Sequence, residues 1–124
     1  MPTIYVSHEP RSEGIDLQPL YDFADERGMD IKYIYTKGFN VSMHPQEALA
    51  TAEAFAAGFN FDKDVWMVAG GDPLAGVICM VALVHEAIET NSKAVKSLRY
   101  IKAKDETGKR TIPMYIPLEI STGI

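Results

Sequence analysis

The run Val65-Trp66-Met67-Val68-Ala69 is followed directly by Gly70-Gly71-Asp72-Pro73 and then by an apolar segment, residues 74–84. The five apolar residues indicate a buried strand, and the two glycines permit a tight turn after it. Asp72 can accept hydrogen bonds from the free amides of a first helical turn, and Pro73 suits the first helical position because its missing N–H would be unpaired there. The sequence therefore predicts a strand, a tight loop, and a helix that begins at Asp72 and ends near Thr90.

Residues 74–84 are apolar on every side of this predicted helix. Such a pattern predicts burial on most sides, as for the central helix of a fold, rather than an amphipathic surface helix. Gly76 lacks a Cβ in the first turn, where a helix can approach its parent strand closely. Cys79, the only cysteine, lies in this apolar segment, so we expect it to be a small core residue and not a nucleophile.

The composition is typical of a single globular domain over residues 1–124. The chain has 47% hydrophobic and 23% charged residues and a net charge of −5, and this length suits one domain. An acidic chain is a poor candidate for nucleic-acid binding. Its longest apolar run, about eleven residues, is short for a bilayer, and the amino terminus has no signal-peptide pattern. We therefore expect a cytoplasmic protein with no nucleic-acid partner and no membrane contact.

Hydrophobic periodicity and turn residues locate the remaining elements. Helices are predicted at residues 17–27 and 45–57, and strands at residues 3–7, 31–36, 98–104 and 111–120. In the last strand five apolar residues alternate with other residues, which predicts one buried face. Pro113 and Pro117 cannot donate to a ladder, so this strand is expected at an edge of the sheet.

The predicted order of elements, β-α-β-α-β-α-β-β, indicates an α/β fold. We expect a single three-layer domain with a mostly parallel five-stranded sheet and three helices on both faces. Right-handed crossovers and the buried character of strands one and three give the strand order 2-1-3-4-5, with the last strand antiparallel. In such sheets ligands bind outside the carboxyl ends of the strands where the order reverses, which here lies between strands one and three.

Three predicted loops lie at or beside this point. They supply the candidate ligand-binding residues, which are Ser7, His8, Glu9, Arg11, Lys37, Gly70, Gly71 and Asp72. Amides at a helix start can receive an anion, whereas the Asp72 carboxylate suits a ribose hydroxyl, an amine or an adenine amino group. We therefore expect a nucleotide or a related small metabolite, with the cofactor unknown. The alternative is that Gly-Gly-Asp-Pro only turns the chain and caps the helix.

No catalytic residue and no metal site is predicted. His8, His44 and His85 lie in different elements without the spacing of a metal motif. The chain also lacks the Gly-x-Ser-x-Gly elbow, the Walker loop and the Gly-x-Gly-x-x-Gly fingerprint. His44, directly before Pro45, is expected to begin a helix.

Two resemblances bear on function. Gly70-Gly71-Asp72-Pro73-Leu74 after a strand resembles the Gly-Asp-Pro loop of tetrapyrrole-type methyltransferases, which implies a contribution to S-adenosylmethionine binding. Those enzymes have a glycine-rich loop where this chain has Ser7-His8-Glu9-Pro10. Residues 64–120 are similar in layout to small α/β accessory proteins of tailed bacteriophages, with a final strand such as Tyr115-Ile116-Pro117-Leu118-Glu119-Ile120. That resemblance implies a viral accessory protein and no particular catalytic residues.

Three functions follow as hypotheses. The first is non-catalytic binding of a nucleotide or related metabolite by a phage accessory protein. The second is a protein-interaction or assembly module without a small ligand, which includes a homo-oligomer; its candidate exposed residues are Phe39, Met43, Phe59 and Phe61. The third is a small enzyme that acts on a nucleotide-like substrate through His8, Glu9 or Asp72.

Overall fold

The computed structural model describes residues 1–9, 17–36, 44–69 and 73–123. Eight elements follow one another along the chain: β1 (Thr3–His8), α1 (Gln18–Arg27), β2 (Asp30–Tyr35), α2 (Pro45–Ala57), β3 (Val65–Met67), α3 (Pro73–Thr90), β4 (Ala94–Lys104) and β5 (Thr111–Ser121).

The strands form one sheet in the order β2-β1-β3-β4-β5. The first three neighbouring pairs are parallel, and β4 and β5 are antiparallel. The pairing of β1 with β3 runs from Ile4↔Val65 to Val6↔Met67. The predicted α/β fold, its strand order and its antiparallel last strand are therefore confirmed, and β1 and β3 end at the same edge of the sheet.

Each face of the sheet has its own hydrophobic core. On one face α1 contributes Leu20 and Ala24, which pack with β1 and β3 residues. On the other face α2 and α3 pack together with side chains from β2, β3 and β4. The α2 contribution is a row of buried alanines, which are Ala48, Ala52 and Ala56. Because alanine side chains are small, they allow α2 to lie close to its neighbours.

Helix α3 differs from its prediction. One side is buried, and the residues of that side are Ala75, Gly76, Cys79, Ala82, Leu83 and Ala87. The other side is not: Leu74, Val77, Val81 and Ile88 are 42–59% exposed. The expectation of burial on most sides was wrong, because the described neighbours of α3 are α2 and the sheet, and these cover only one side of the helix.

The burial of Cys79 is confirmed. Its side chain is 0% exposed, and this burial raises the pKa of the thiol to about 12. Because the thiolate is the reactive form, Cys79 is a core residue.

Helix α3 also meets the length and composition of a membrane span among the described residues, with a mean hydropathy of 1.5. The core helix of a soluble protein passes the same test. In this fold α3 packs against α2 and over the sheet, which is the position of a crossover helix in an α/β protein.

Strands β4 and β5 form a ribbon that is longer than predicted. Strand β4 begins at Ala94, whereas the sequence predicted its start at Leu98. It pairs with β3 only at Trp66↔Ser97, while its pairing with β5 runs from Ala94↔Ser121 to Lys104↔Thr111. The apolar residues of β5 were expected to be buried, and this was wrong for four of them: Ile112, Met114, Leu118 and Ile120 are 41–47% exposed.

Local signals at the helix ends agree with the structure where it describes them. His44 caps α2, because its Nδ1 accepts a hydrogen bond from the Gln46 backbone N–H at 3.2 Å. Gly28 ends α1 in the left-handed conformation with φ 63°. The predicted capping residue Asp72 lies outside the described residues.

The expected close approach at Gly76 is confirmed. A Cβ added to this glycine would lie 2.7 Å from Cγ1 and 2.9 Å from Cγ2 of Val68. Distances this short are not tolerated between carbon atoms, so the glycine lets the first turn of α3 lie against the end of its parent strand.

Candidate functional site

The predicted site lies at the carboxyl ends of β1 and β3. Ser7 and His8 are the last residues of β1, and Glu9 follows them. Five other predicted residues lie outside the described part of the chain: Arg11, Lys37, Gly70, Gly71 and Asp72. The structure therefore describes this site through Ser7, His8, Glu9 and the residues that contact them.

The Ser7 hydroxyl connects β1 to the residues after β3. Its oxygen accepts a hydrogen bond from the Ala69 backbone N–H at 2.9 Å, and the Ser7 side chain is 0% exposed. The same oxygen lies 3.0 Å from Nδ1 of His8. A serine hydroxyl has one hydrogen and two lone pairs, so it can accept from Ala69 and still donate to Nδ1 of His8 or accept from it. Ser7 thus holds both the segment that follows β3 and the His8 ring in place.

Glu9 extends the contact between β1 and β2. Its backbone N–H donates to the Tyr35 carbonyl oxygen at 3.0 Å, one step beyond the register pair His8↔Tyr35. The Glu9 side chain is exposed. Its carboxylate therefore faces water at the edge where the two parallel strands end.

A tyrosine pair, formed by Tyr21 of α1 and Tyr33 of β2, lies close to Glu9. The hydroxyl oxygens of Tyr21 and Tyr33 are 3.2 Å apart. Burial raises the pKa of Tyr33 most strongly, and the hydrogen bond with Tyr21 and the charge of Glu9 raise it further. Tyr33 is therefore neutral at physiological pH and able to donate or accept a hydrogen bond.

The described residues at this edge differ in what they present to solvent. His8 is only 5% exposed and Ser7 is fully buried, so neither presents a reactive atom to solvent in the described structure. Glu9 presents a carboxylate, and Val68, which is 44% exposed, presents an apolar surface at the end of β3. Among the described residues no group of three His, Cys, Asp or Glu side chains could hold a metal ion.

A cavity of about 470 Å³ lies at the opposite edge of the sheet. The amino ends of β3 and β4 border it, together with the carboxyl end of α3. Its charged lining residues are Asp62, Lys93, Lys96 and Glu119, and the Lys96 ammonium donates to the Asp62 backbone carbonyl. The sequence did not predict it, because its walls come from three separate stretches of the chain, residues 61–62, residues 90–96 and Glu119. The general rule for open α/β sheets favours the carboxyl edge for ligand binding.

Asp64 is a second feature that the sequence did not predict. Its side chain is 7% exposed. Its Oδ1 accepts a hydrogen bond from the Thr3 backbone N–H at 3.0 Å, and its Oδ2 accepts one from the Asn60 backbone N–H at 2.8 Å. The carboxylate thereby joins the start of β1 to the turn before β3. An acidic residue immediately before a buried strand was the available signal.

The proposed interaction residues on loops are only partly described. Phe39 and Met43 lie outside the described residues. Phe59 is 6% exposed, and its ring packs between Tyr5, Phe55 and Phe61 at centroid distances of 5.0–5.8 Å. Phe61 is half-buried. The prediction that Phe59 and Phe61 form an exposed apolar surface was therefore wrong, because these rings complete the core beside α2.

Comparison of the chain with protein-family models, with curated proteins and with solved structures found no match.

Proposed function

We propose that this protein binds a nucleotide or a related small metabolite, without a reaction, at the carboxyl ends of β1 and β3. The observation that supports this proposal is the parallel pairing of these two strands, from Ile4↔Val65 to Val6↔Met67. Chain segments that follow two adjacent parallel strands leave the sheet at the same edge, and this is where ligands of open α/β sheets bind.

The described residues have distinct roles in this proposal. Ser7 and His8 are positioning residues, because their buried hydrogen bonds fix the ends of the strands. Glu9 is the contact residue, because its exposed carboxylate can accept hydrogen bonds from ribose hydroxyls or from an amino group. Arg11 follows β1 along the chain, Gly70, Gly71 and Asp72 follow β3, and Lys37 follows the adjacent strand β2. All five belong to the proposed site.

A panel of nucleotides, cyclic dinucleotides and S-adenosylmethionine tests the proposal by thermal shift and calorimetry. A true ligand at a hundredfold excess over its Kd stabilises the folded state by about 2.7 kcal/mol. We expect Glu9→Gln, which removes the charge and keeps the shape, to weaken binding about tenfold, which corresponds to about 1.4 kcal/mol. Glu53→Gln on the exposed side of α2 is the matched control. A panel without any stabilising compound, or equal affinity in both variants, contradicts the proposal.

The proposal includes the role of accessory protein of a tailed bacteriophage, acting in the cytoplasm of an infected cell. It is supported by the resemblance of residues 64–120. The alternative is an enzyme that acts on a nucleotide-like substrate through His8, Glu9 or Asp72. It is the less favoured function, because the His8 side chain is buried.

A further inference from the structure

The exposed side of α3 carries a regular row of apolar residues, which we call the α3 stripe. Its members are Leu74, Val77, Val81, Val84 and Ile88. Four of them, Leu74, Val77, Val81 and Ile88, are 42–59% exposed, and Val84 is half-buried. The spacing alternates between three and four residues, which is the spacing of a helix-packing seam. This row lies on the side of the helix opposite the buried residues Ala75, Cys79 and Leu83.

A second exposed apolar surface lies on the ribbon, and we call it the β5 face. Its exposed members are Ile112, Met114, Leu118 and Ile120, each 41–47% exposed. Ile120 is paired with Val95, which belongs to the core between the sheet and α3. The β5 face therefore looks to the same side of the sheet as α3. Helix α1 reaches β5 from the other side, where Phe23 packs on Tyr115.

Both surfaces have sequences typical of buried segments and are exposed in the described structure. An isolated surface apolar residue is ordinary, but two exposed apolar rows on one side of the sheet mark an interaction site. We propose that a second copy of this chain covers them, with the two α3 helices antiparallel and crossing near Val81, and with each β5 face flanking the partner's helix.

The α3 stripe is self-complementary, as a two-fold symmetric contact requires. When two copies lie antiparallel about Val81, Leu74 is opposite Ile88 and Val77 is opposite Val84. Every position thus meets an aliphatic side chain of the other copy.

The charges around the stripe also favour a second copy. No acidic or basic residue occurs between Pro73 and Val84, so a chain of net charge −5 can approach its copy there without close like-charge contact. A lipid surface fits less well, because α3 has no Lys or Arg to meet anionic headgroups.

The surface is large enough for a dimer. The eight exposed residues of the α3 stripe and the β5 face offer roughly 600 Å² per copy, so a contact that covers all of them buries roughly 1,200 Å², the lower bound for specific interfaces. Pairing of two β5 strands edge to edge is a poor alternative, because Pro113 and Pro117 lack the N–H that a ladder needs.

Sedimentation velocity and light scattering of the full chain test the proposal. We expect the mass of two chains of 13.7 kDa each. Val81→Glu places two carboxylates at the centre of the contact and should weaken dimerisation about 100-fold or more. Ala54→Glu, on the exposed side of α2, adds the same charge away from the contact and should leave the dimer intact.

A cysteine variant keeps the test independent of any folding defect in Val81→Glu. In Val81→Cys the new thiols of the two copies should lie close enough for a disulfide, so oxidation should give a covalent dimer, while Ala54→Cys should not. A monomer at high micromolar concentration overturns the proposal. If that monomer also binds lipid vesicles through Val81, the α3 stripe is a membrane contact instead.

Discussion

The hydroxyl oxygen of Ser7 accepts a hydrogen bond from the backbone N–H of Ala69 at 2.9 Å. These residues are 62 positions apart, and both are buried. This bond continues the contact of β1 and β3 past the last register pair, Val6↔Met67. It lies where the chain leaves both strands for the proposed ligand site.

The Ser7 hydrogen bond gives the first prediction. Ser7→Ala leaves the buried Ala69 N–H without its acceptor, so we expect it to lower the free energy of unfolding by about 1–3 kcal/mol. Ser97→Ala is a matched control, because Ser97 is a buried serine whose Oγ makes only a long 3.4 Å contact with the Val95 carbonyl. We expect Ser97→Ala to change the free energy of unfolding by close to zero. Urea denaturation measures both. Equal costs would show that Ser7 does not stabilise this junction.

The contact of Gly76 with Val68 gives the second prediction. Gly76→Ala forces a Cβ to within 2.7 Å of Val68, and overpacking of this kind costs about 1–3 kcal/mol. The gain in helix propensity, about 1 kcal/mol, offsets part of this loss. In a Val68→Ala background the clash is absent, so the same Gly76→Ala change should be neutral or stabilising. A double-mutant cycle by urea denaturation measures the coupling, and an effect of Gly76→Ala that is equal in both backgrounds would refute the steric explanation.

The strand order was predictable because its signals are local. Apolar runs, helix-ending glycines and the prolines of β5 fix which segments are strands and helices, and the crossover rule then leaves few arrangements. The exposed side of α3 was not predictable, because Val77 and Val81 are the same residue types whether their partner is the core or another molecule. The hydrogen bonds from Thr3 to Asp64 and from Ala69 to Ser7 were not predictable either, because each joins groups about 60 positions apart in the sequence.

Asp64 gives the third prediction. Asp64→Ala removes the acceptor of two backbone N–H groups, those of Thr3 and Asn60, and we expect a loss of about 3 kcal/mol in unfolding free energy. Asp64→Asn keeps one acceptor oxygen and should cost less. Asp62→Ala is the control, because the Asp62 side chain is exposed and its loss should change stability by less than about 0.5 kcal/mol. Thermal and urea denaturation of the three variants measure these differences. If Asp64→Ala is as stable as Asp62→Ala, the carboxylate does not anchor β1.

The last prediction concerns alkaline pH. Burial raises the pKa of Tyr35 to about 12 and that of the Cys79 thiol to about 12. Both groups are protonated in the folded state at pH values where they ionise in the unfolded chain, near 10 for Tyr and 8.5 for Cys. Their contribution to stability is therefore complete below about pH 8. It is lost progressively as the pH rises toward 12, so the urea midpoint should fall over this interval.

Tyr35→Phe measures how much of this loss of stability at alkaline pH comes from the Tyr35 hydroxyl. The Tyr35 hydroxyl donates to the Ala48 carbonyl oxygen at 2.6 Å, so its removal should cost about 1 kcal/mol at pH 7. Above pH 10 the variant has one fewer buried group to ionise, and its stability should decline less steeply than that of the native chain. Tyr100→Phe, at a tyrosine that is 42% exposed, leaves the buried hydroxyls in place and is the control. Parallel pH profiles for the native chain and Tyr35→Phe would show that ionisation of Tyr35 is not coupled to unfolding.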